Sequence, residues 1–360
     1  MPLVSAETFR DIVSGRRRGM VAALVCGLCA AAEPVYKFIV ARKNRQYDSG
    51  TLQPARVAAP VISVGNLTVG GTGKTPLVIW LAKWFREQGR DVVLISRGYG
   101  QRHGPNDEAL EIAATLPGIQ QVQNPDRVAA ARAVLAAADS GSVPVLILDD
   151  AFQHRRIARD LDIVLIDALE PFGCGRLLPR GLLREPVASL ARAHVVALSR
   201  ADAVSPERRH ELKQRVAQLA PQATWLELTH APVGLRDHTG RLEPLTAWHS
   251  KSLAAFAGIG NPSGFEHTLQ TCGLHVTAFR SLADHQPYTP AVIRSLENWL
   301  QSLTTVDGVV CTHKDLVKLP RGDLGGVPLR ALQIALQIER GEEELAARLA
   351  PFLTSGRCGS

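Results

Sequence analysis

The run Val61-Ile-Ser-Val-Gly-Asn-Leu-Thr-Val-Gly-Gly-Thr-Gly-Lys-Thr75 sets a glycine-dense turn between an apolar, β-rich segment and the start of an amphipathic helix. Glycines at 70, 71 and 73 let backbone N–H groups converge on an anion, and a helix starting near Lys74 adds the positive end of its dipole. Gly70-Gly71-Thr72-Gly73-Lys74-Thr75 therefore reads as a nucleotide-phosphate loop. Lys74 would reach the β- and γ-phosphates, and the Thr75 hydroxyl would ligate Mg²⁺. Strict G-x-x-x-x-G-K-T spacing needs glycine at position 68, where Thr68 stands.

A second run, Val145-Leu-Ile-Leu-Asp-Asp150, reads as a buried strand ending in two acids. Carboxylates at a strand end beside a phosphate loop can hold Mg²⁺ directly or through its waters. Neighbours on an extended strand point to opposite faces, so Asp149 and Asp150 should differ in role. Gln153 and His154 follow at once and could contact substrate or order the acids; plain surface placement is the alternative. The V-G-G-T-G-K-T form also resembles the K-G-G-x-G-K-T loops of partition-type ATPases, with Val69 where those carry an extra lysine.

These groups need a scaffold, and the pattern from residue 56 onward supplies one. Apolar runs at Val61–Val64, Val92–Ile95, Val143–Leu148, Ile163–Ile166 and Val195–Leu198 alternate with helical stretches such as Val128–Ala138. Short continuous apolar strands between helices predict a parallel sheet covered on both faces, with ligands beyond the strands' carboxyl ends. The pattern restarts after about residue 230 with Leu253–Gly258, Leu274–Phe279 and Gly308–Cys311, and the polar Pro232–Pro244 segment reads as a hinge. The expected division is an N-terminal segment (1–55), a nucleotide-binding domain (56–231) and a smaller α/β domain (232–360).

The 360 residues carry a formal charge of +7, which suits an anionic partner such as ATP, a phosphorylated substrate or an acidic membrane. No nucleic-acid-binding motif accompanies it, and only 5% of residues are aromatic, so nucleic acid is not an expected partner. Cysteines at 26, 29, 174, 272, 311 and 358 are scattered and read as reduced thiols. Arg16-Arg-Arg18 precedes an apolar run from Met20 to Ala32. As a signal peptide it would carry an ATP-binding loop away from ATP, and it falls short of the about 20 apolar residues a bilayer span needs. An interfacial helix is expected instead, with Arg16, Arg17, Arg18, Lys37, Arg42, Lys43 and Arg45 meeting anionic phospholipid headgroups. A helix packed on the protein's own core is the other reading.

The order of motifs adds a resemblance. G-N-L-T-V-G-G-T-G-K-T-P, S-R-G-Y-G (96–100), N-P-D-R (124–127), D-D-A-F-Q-H (149–154), L-L-R-E-P (182–186), G-I-G-N-P (258–262) and D-H-Q-P-Y (284–288) follow one another as in the tetraacyldisaccharide 4′-kinase family. The chain resembles that family over nearly its whole length. The resemblance implies a P-loop NTPase-like parallel sheet flanked by helices, a second smaller α/β domain and an N-terminal membrane-associated helix. It further implies transfer of the γ-phosphate of ATP, with Mg²⁺, to the 4′-hydroxyl of a 1-phosphorylated tetraacyl glucosamine disaccharide, a lipid A precursor. The expected location is the cytoplasmic face of the inner membrane. A sugar hydroxyl needs a base as it attacks, and the resemblance assigns this to Asp107 oriented by His285, the two brought together by domain closure. Arg127 and Arg184 would bind substrate or nucleotide phosphate, with Tyr99 and Gln153 as neighbours.

Two departures stand out. The stretch between Tyr99 and Asp107 is shorter than the family's, and the family's G-D-E-P is Asn106-Asp107-Glu108-Ala109 here. A competing reading is a switch-type NTPase or metallochaperone, for which Ser199-Arg-Ala-Asp202 and Thr312-His-Lys-Asp315 are near matches to a base-reading N-K-x-D. A membrane scaffold with a vestigial nucleotide site is a third.

Overall fold

The computed structural model describes residues 6–98, 107–138, 143–260, 262–284, 286–319 and 321–354. Two helices, α1 (Ala6–Val13) and α2 (Met20–Asp48), precede the first strand. Then come β1 (Val61–Asn66), α3 (Lys74–Glu87), β2 (Val92–Ser96), α4 (Asp107–Thr115), β3 (Gln120–Gln123), α5 (Arg127–Ala137) and β4 (Val145–Asp149). β5 (Leu161–Asp167), β6 (Val195–Ser199), α6 (Pro206–Leu219) and β7 (Thr224–Arg236) follow. Next are β8 (Leu242–Glu243), β9 (Ser252–Ala257), α7 (Pro262–Thr271), β10 (His275–Ser281) and α8 (Pro290–Gln301). The chain closes with β11 (Gly308–Thr312), α9 (His313–Lys318), β12 (Asp323–Leu324), β13 (Val327–Arg340), α10 (Glu342–Leu349) and α11 (Pro351–Thr354).

The chain forms two units, one of Met1–Gly100, Gly118–Thr229 and Leu336–Ser360, the other of Gln101–Pro117 and His230–Ala335. Against the expected 56–231 and 232–360, the second unit takes in Gln101–Pro117, and the C-terminal residues return to the first. Residues 232–244, read as a hinge, are instead the end of β7 and an antiparallel hairpin to β8, paired Leu235↔Glu243 and Arg236↔Leu242. Their polarity is local turn chemistry. The Asp237 carboxylate accepts from the Thr239 and Arg241 amides, both at 2.9 Å, and Gly240 takes φ 93.

In the first unit the strands run β7-β6-β5-β1-β4-β2-β3, every neighbouring pair parallel. Strands β1, β4, β5 and β6 are buried at every residue, as sheet strands covered on both faces must be. Leu146 and Leu148 of β4 pack with Val128, Ala131 and Val134 of α5; Val196 and Leu198 of β6 pack with Leu212 and Val216 of α6. Register is what matters for chemistry. Val64 lies opposite Asp149 across the β1–β4 pair, so the glycine-rich loop and the two acids leave the sheet side by side. Gly65 permits the close approach, because a Cβ there would stand 2.6 Å from the Phe152 Cβ and 2.8 Å from its amide nitrogen.

Helix α2 corrects the sequence expectation of a short apolar piece. It continues through Pro34 for 29 residues and is long and apolar enough to cross a membrane, with a mean hydropathy of 1.6 over its most apolar stretch. Proline inside a helix removes one backbone bond, and side-chain contacts hold the chain on both sides of it. Glu33 accepts from the Leu177 amide at 3.1 Å, and the Tyr36 hydroxyl donates to the Arg184 carbonyl at 2.9 Å. Farther along, Lys43 donates to the Gln153 carbonyl at 3.0 Å, and Asp48 pairs with Arg155 at 2.7 Å. The other side presents Met20, Val21, Leu24, Leu28, Val35, Phe38 and Ile39 to solvent, each more than half exposed. One side of the helix is thus bonded to neighbouring segments, and the other leaves an apolar stripe exposed.

The second unit repeats the parallel logic on a smaller scale, in the order β10-β9-β11-β13. Strand β9 alternates: Ala254 and Phe256 pack with Leu296 and Leu300 of α8, whereas Leu253, Ala255 and Ala257 pack with Phe265 and Leu269 of α7. Helix α4 lies against α9, where Glu111 comes within 3.9 Å of the buried His313. Cys26, Cys29, Cys174, Cys272 and Cys311 are all free thiols.

Candidate active site

The loop after β1 is shaped by a strand-like segment beside it. The Val69 amide donates to the Leu182 carbonyl at 2.8 Å and the Arg184 amide to the Leu67 carbonyl at 2.7 Å. Beyond this clamp two of the three glycines take conformations that glycine favours. Gly70 takes φ 122, and Gly73 takes the left-handed φ 80 that turns the chain into α3. No side chain caps α3 and no acid occupies its first turn, so its leading N–H groups and positive end are left to an anion. Gly71 makes no demand for space, while Thr72 and Thr75 are buried.

Lys74 is 14% exposed, and its Nζ stands 3.4 Å from Asn66 Oδ1 and 3.4 Å from Asp150 Oδ1. Arg184 grips both oxygens of the same carboxylate at 2.8 Å each. Burial alone would raise the pKa of Asp150, but Lys74 and Arg184 outweigh it and hold the carboxyl below its ordinary range. Asp150 adopts φ 50, a left-handed conformation that turns its side chain away from the strand direction. Asp149 stays on the strand, 6% exposed. The two acids thus differ in role as expected, but through the left-handed turn at Asp150 rather than strand alternation: Asp150 faces Lys74 and Arg184 while Asp149 ends the strand.

Other expected residues fall differently. Arg127, expected at a phosphate, is 2% exposed, and its guanidinium donates to the Asn124 carbonyl at 3.2 Å and the Asp149 carbonyl at 3.3 Å. It braces the acid-bearing strand end from within, because Asp126 caps α5 and starts the helix with Arg127 turned inward. Gln153 donates from Nε2 to the Asn66 carbonyl at 2.8 Å, tying the segment after the acids to the end of β1. Asn66 itself was missed. It is fully buried, its Nδ2 lacks a hydrogen-bond partner among the described residues, and its signal was an amide closing an otherwise apolar strand.

His154 follows the acids in the chain, with a buried Nε2 that has no hydrogen-bond partner among the described residues. Burial, then the charges of Arg127, Lys43 and Arg156, lower its pKa from 6.5 to about 4 against the pull of Asp126. Between these values the unfolded chain holds a proton that the folded chain refuses. Stability present above pH 6.5 is therefore lost progressively as the pH falls toward 4. Asp150 adds slope only at the acid end of that window, because its stabilisation is lost as the pH falls toward and below 3.8. We expect urea midpoints measured at steps from pH 7 to pH 4 to fall less steeply in His154→Gln than in the wild type; parallel curves would contradict the assignment.

Tyr99 and His285 lie outside the described residues. Asp107 is the first residue of α4, and its side chain also lies outside them. The segments that carry Asp107 and His285 belong to one unit, Gln101–Pro117 with His230–Ala335.

Both near matches to a base-reading motif are engaged internally. Arg200 is bound to Asp167, with Nε 3.0 Å from Oδ1. Asp315, fully buried, accepts from the Gly258 amide (3.2 Å), the Tyr288 hydroxyl (2.6 Å) and the Thr312 hydroxyl (2.7 Å). The residues present fit a magnesium nucleotide. Mg²⁺ retains waters and takes only one or two carboxylates besides phosphate; Thr75 and Asp149 offer one hydroxyl and one carboxylate, both buried, from the first turn of α3 and the end of β4. Among the described residues no cluster of three or more His, Cys, Asp or Glu side chains suits a more protein-bound metal.

A central parallel strand feeding a glycine loop and an open helix end, with a lysine and paired acids beside it, defines a P-loop nucleotide-binding protein. Residues 28–354 match the family described as LpxK, tetraacyldisaccharide-1-P 4′-kinase. The tetraacyldisaccharide 4′-kinase of Anaeromyxobacter dehalogenans is 37% identical over 361 residues, covering 93% of this chain and 92% of that protein. Its counterpart in Halothermothrix orenii is 36% identical over 343 residues, covering 87% and 88%. The crystal structure of LpxK from Aquifex aeolicus in complex with ATP matches with a TM-score of 0.72 at 27% identity, covering 90% of this chain and 98% of that one. The chain belongs to the tetraacyldisaccharide-1-P 4′-kinase family.

Proposed function

We propose that this kinase moves the γ-phosphate of ATP to the 4′-hydroxyl of a 1-phosphorylated tetraacyl glucosamine disaccharide in lipid A biosynthesis. The observation that carries the reading is the uncapped start of α3 with Lys74 held between Asn66 and Asp150. Backbone amides of residues 70–75 and Lys74 hold the phosphates, and Asp150 keeps the lysine from straying. Arg184, fixed to Asp150, stands ready for charge on the transferred group. Thr75 and Asp149 would hold Mg²⁺, which when bound neutralises phosphate charge. Asp107 takes the proton of the attacking hydroxyl, with His285 orienting it; family resemblance supports this pair. Preorganised charge in a partly buried site makes each such contact stronger than it would be in water.

The test is ³²P transfer from γ-labelled ATP, with and without the 1-phosphorylated tetraacyl disaccharide. Label should enter the lipid, and Asp107→Ala should lower the rate by about 10²–10⁴-fold, the usual worth of a general base. Full transfer by that variant would keep the kinase and remove the base. Phosphate release indifferent to lipid would instead favour a switch-type NTPase.

A lipid acceptor also explains the apolar side of α2. We place it in the inner membrane with the kinase on the cytoplasmic face, where ATP is, and with Arg16, Arg17, Arg18 and Arg42 near anionic phospholipid. The exposed stripe of α2 and its basic flanks support this. Flotation with phosphatidylglycerol vesicles should be lost in a Leu24→Asp/Leu28→Asp double variant; unchanged flotation would refute the assignment.

A further inference from the structure

Helix α1 precedes the residues that match the family, yet it reaches the phosphate loop. It is packed against α2 through the buried Ile12, whose carbonyl lies 3.8 Å from the Cys26 sulfur. From its last turn Arg10 extends over the glycines. A Cβ placed on Gly70 would stand 3.7 Å from Arg10 Nη2 and 3.9 Å from Cζ. Arg10 thereby lines a cleft with Gly70, Gly71, Thr72, Asp167 and Glu170.

Two groups in this cleft lack hydrogen-bond partners among the described residues. The Arg10 side chain is exposed, and no hydrogen bond or ion pair joins its guanidinium to the described residues. The two carboxylates beside it are engaged elsewhere: Asp167 by Arg200 and the Leu169 amide, Glu170 by the Cys174 amide at 2.9 Å. Thr72 is 5% exposed, and its buried Oγ1 has no hydrogen-bond partner among the described residues. A free guanidinium, an orphan hydroxyl and the uncapped start of α3 share one complement, an anion with several charged oxygens. Position 69 adds a reason. Partition-type loops carry a second lysine there, this chain carries Val69, and Arg10 brings a cation to the adjoining residue from another part of the sequence.

We propose that Arg10 is a nucleotide-binding residue that contacts the polyphosphate of ATP beside Gly70. It rests on the reading that residues 70–75 hold ATP. It also joins the nucleotide to the membrane helix, since α1 is seated on α2.

The experiment is a fluorescence titration of the full chain in detergent with mant-ATP, mant-ADP and mant-AMP, for wild type, Arg10→Ala, Arg10→Lys and Lys74→Ala. Arg10→Ala should weaken mant-ATP binding about tenfold, the scale of one charge-assisted contact. The loss should be smaller for mant-ADP and absent for mant-AMP, and Arg10→Lys should recover part of it. Arg10→Ala binding within twofold of wild type, with Lys74→Ala impaired, would overturn the role of Arg10 and leave the loop intact. An equal loss for all three nucleotides would also overturn it, because a distorted loop does not count phosphates. Wild-type affinity in Lys74→Ala as well would show that the failure lies in the loop reading. Arg10 is exposed, so its replacement leaves the folded core undisturbed.

Discussion

Lys74→Ala is expected to slow phosphoryl transfer by about 10²–10³-fold, the loss typical when one preorganised charge is withdrawn from a transition state. The geometry explains the size. Lys74 is poised rather than floating, since Asn66 and Asp150 each hold its Nζ at 3.4 Å with only 14% of the side chain exposed. Little ordering entropy remains to be lost when phosphate arrives. Lys74→Arg should not rescue, because a planar fork cannot replace a compact ammonium between two acceptors. Folding should be largely spared, for Asp150 keeps Arg184. Single-turnover ³²P transfer to the lipid acceptor measures the effect. A rate within threefold of wild type would end the claim that this loop does the chemistry.

Asp150→Asn is the second large effect, about 10²-fold, and it separates the two acids. Asparagine tolerates the left-handed φ 50 of this position, so charge is removed with little backbone strain. What remains is Lys74 and Arg184 facing each other without the anion that joins them. Displacement of either by about 1 Å is enough for a loss of this order. The magnesium dependence should discriminate. With Asp150 occupied by two cations, its loss should lower kcat and leave the Mg²⁺ concentration for half-maximal rate near the wild-type value. Asp149→Asn should raise that concentration. The reverse pattern would exchange the roles given to the two carboxylates.

Much of this was readable because it is local. The apolar runs that became β1, β4, β5 and β6 were visible as continuous hydrophobic stretches, since a strand buried on both faces cannot alternate. The left-handed turn at Gly73 needs no partner to be foreseen, only a residue without Cβ before a helix. The misreadings came from segments whose meaning is set by neighbours. Residues 232–244 look the same as linker or as hairpin until β8 finds β7. Helix α2 seemed to fade where its composition turned polar after Ala32. Glu33, Tyr36 and Lys43 are polar there because they bond to the first unit.

The sequence by itself determined the α/β class, the phosphate loop, the acid pair at a strand end and the anionic character of the ligand. Each depends on residues adjacent in the chain, whose glycine spacing, strand ending and helix start carry their own physics. Only the tertiary structure decided that Asp150 rather than Asp149 holds Lys74, that Arg127 braces a carbonyl and that Arg10 reaches Gly70. Those pairings follow from strand order and from which helix lies over which loop. Side-chain charge and spacing are compatible with many such arrangements. Burial of the apolar faces, summed over the whole chain, selects one of them.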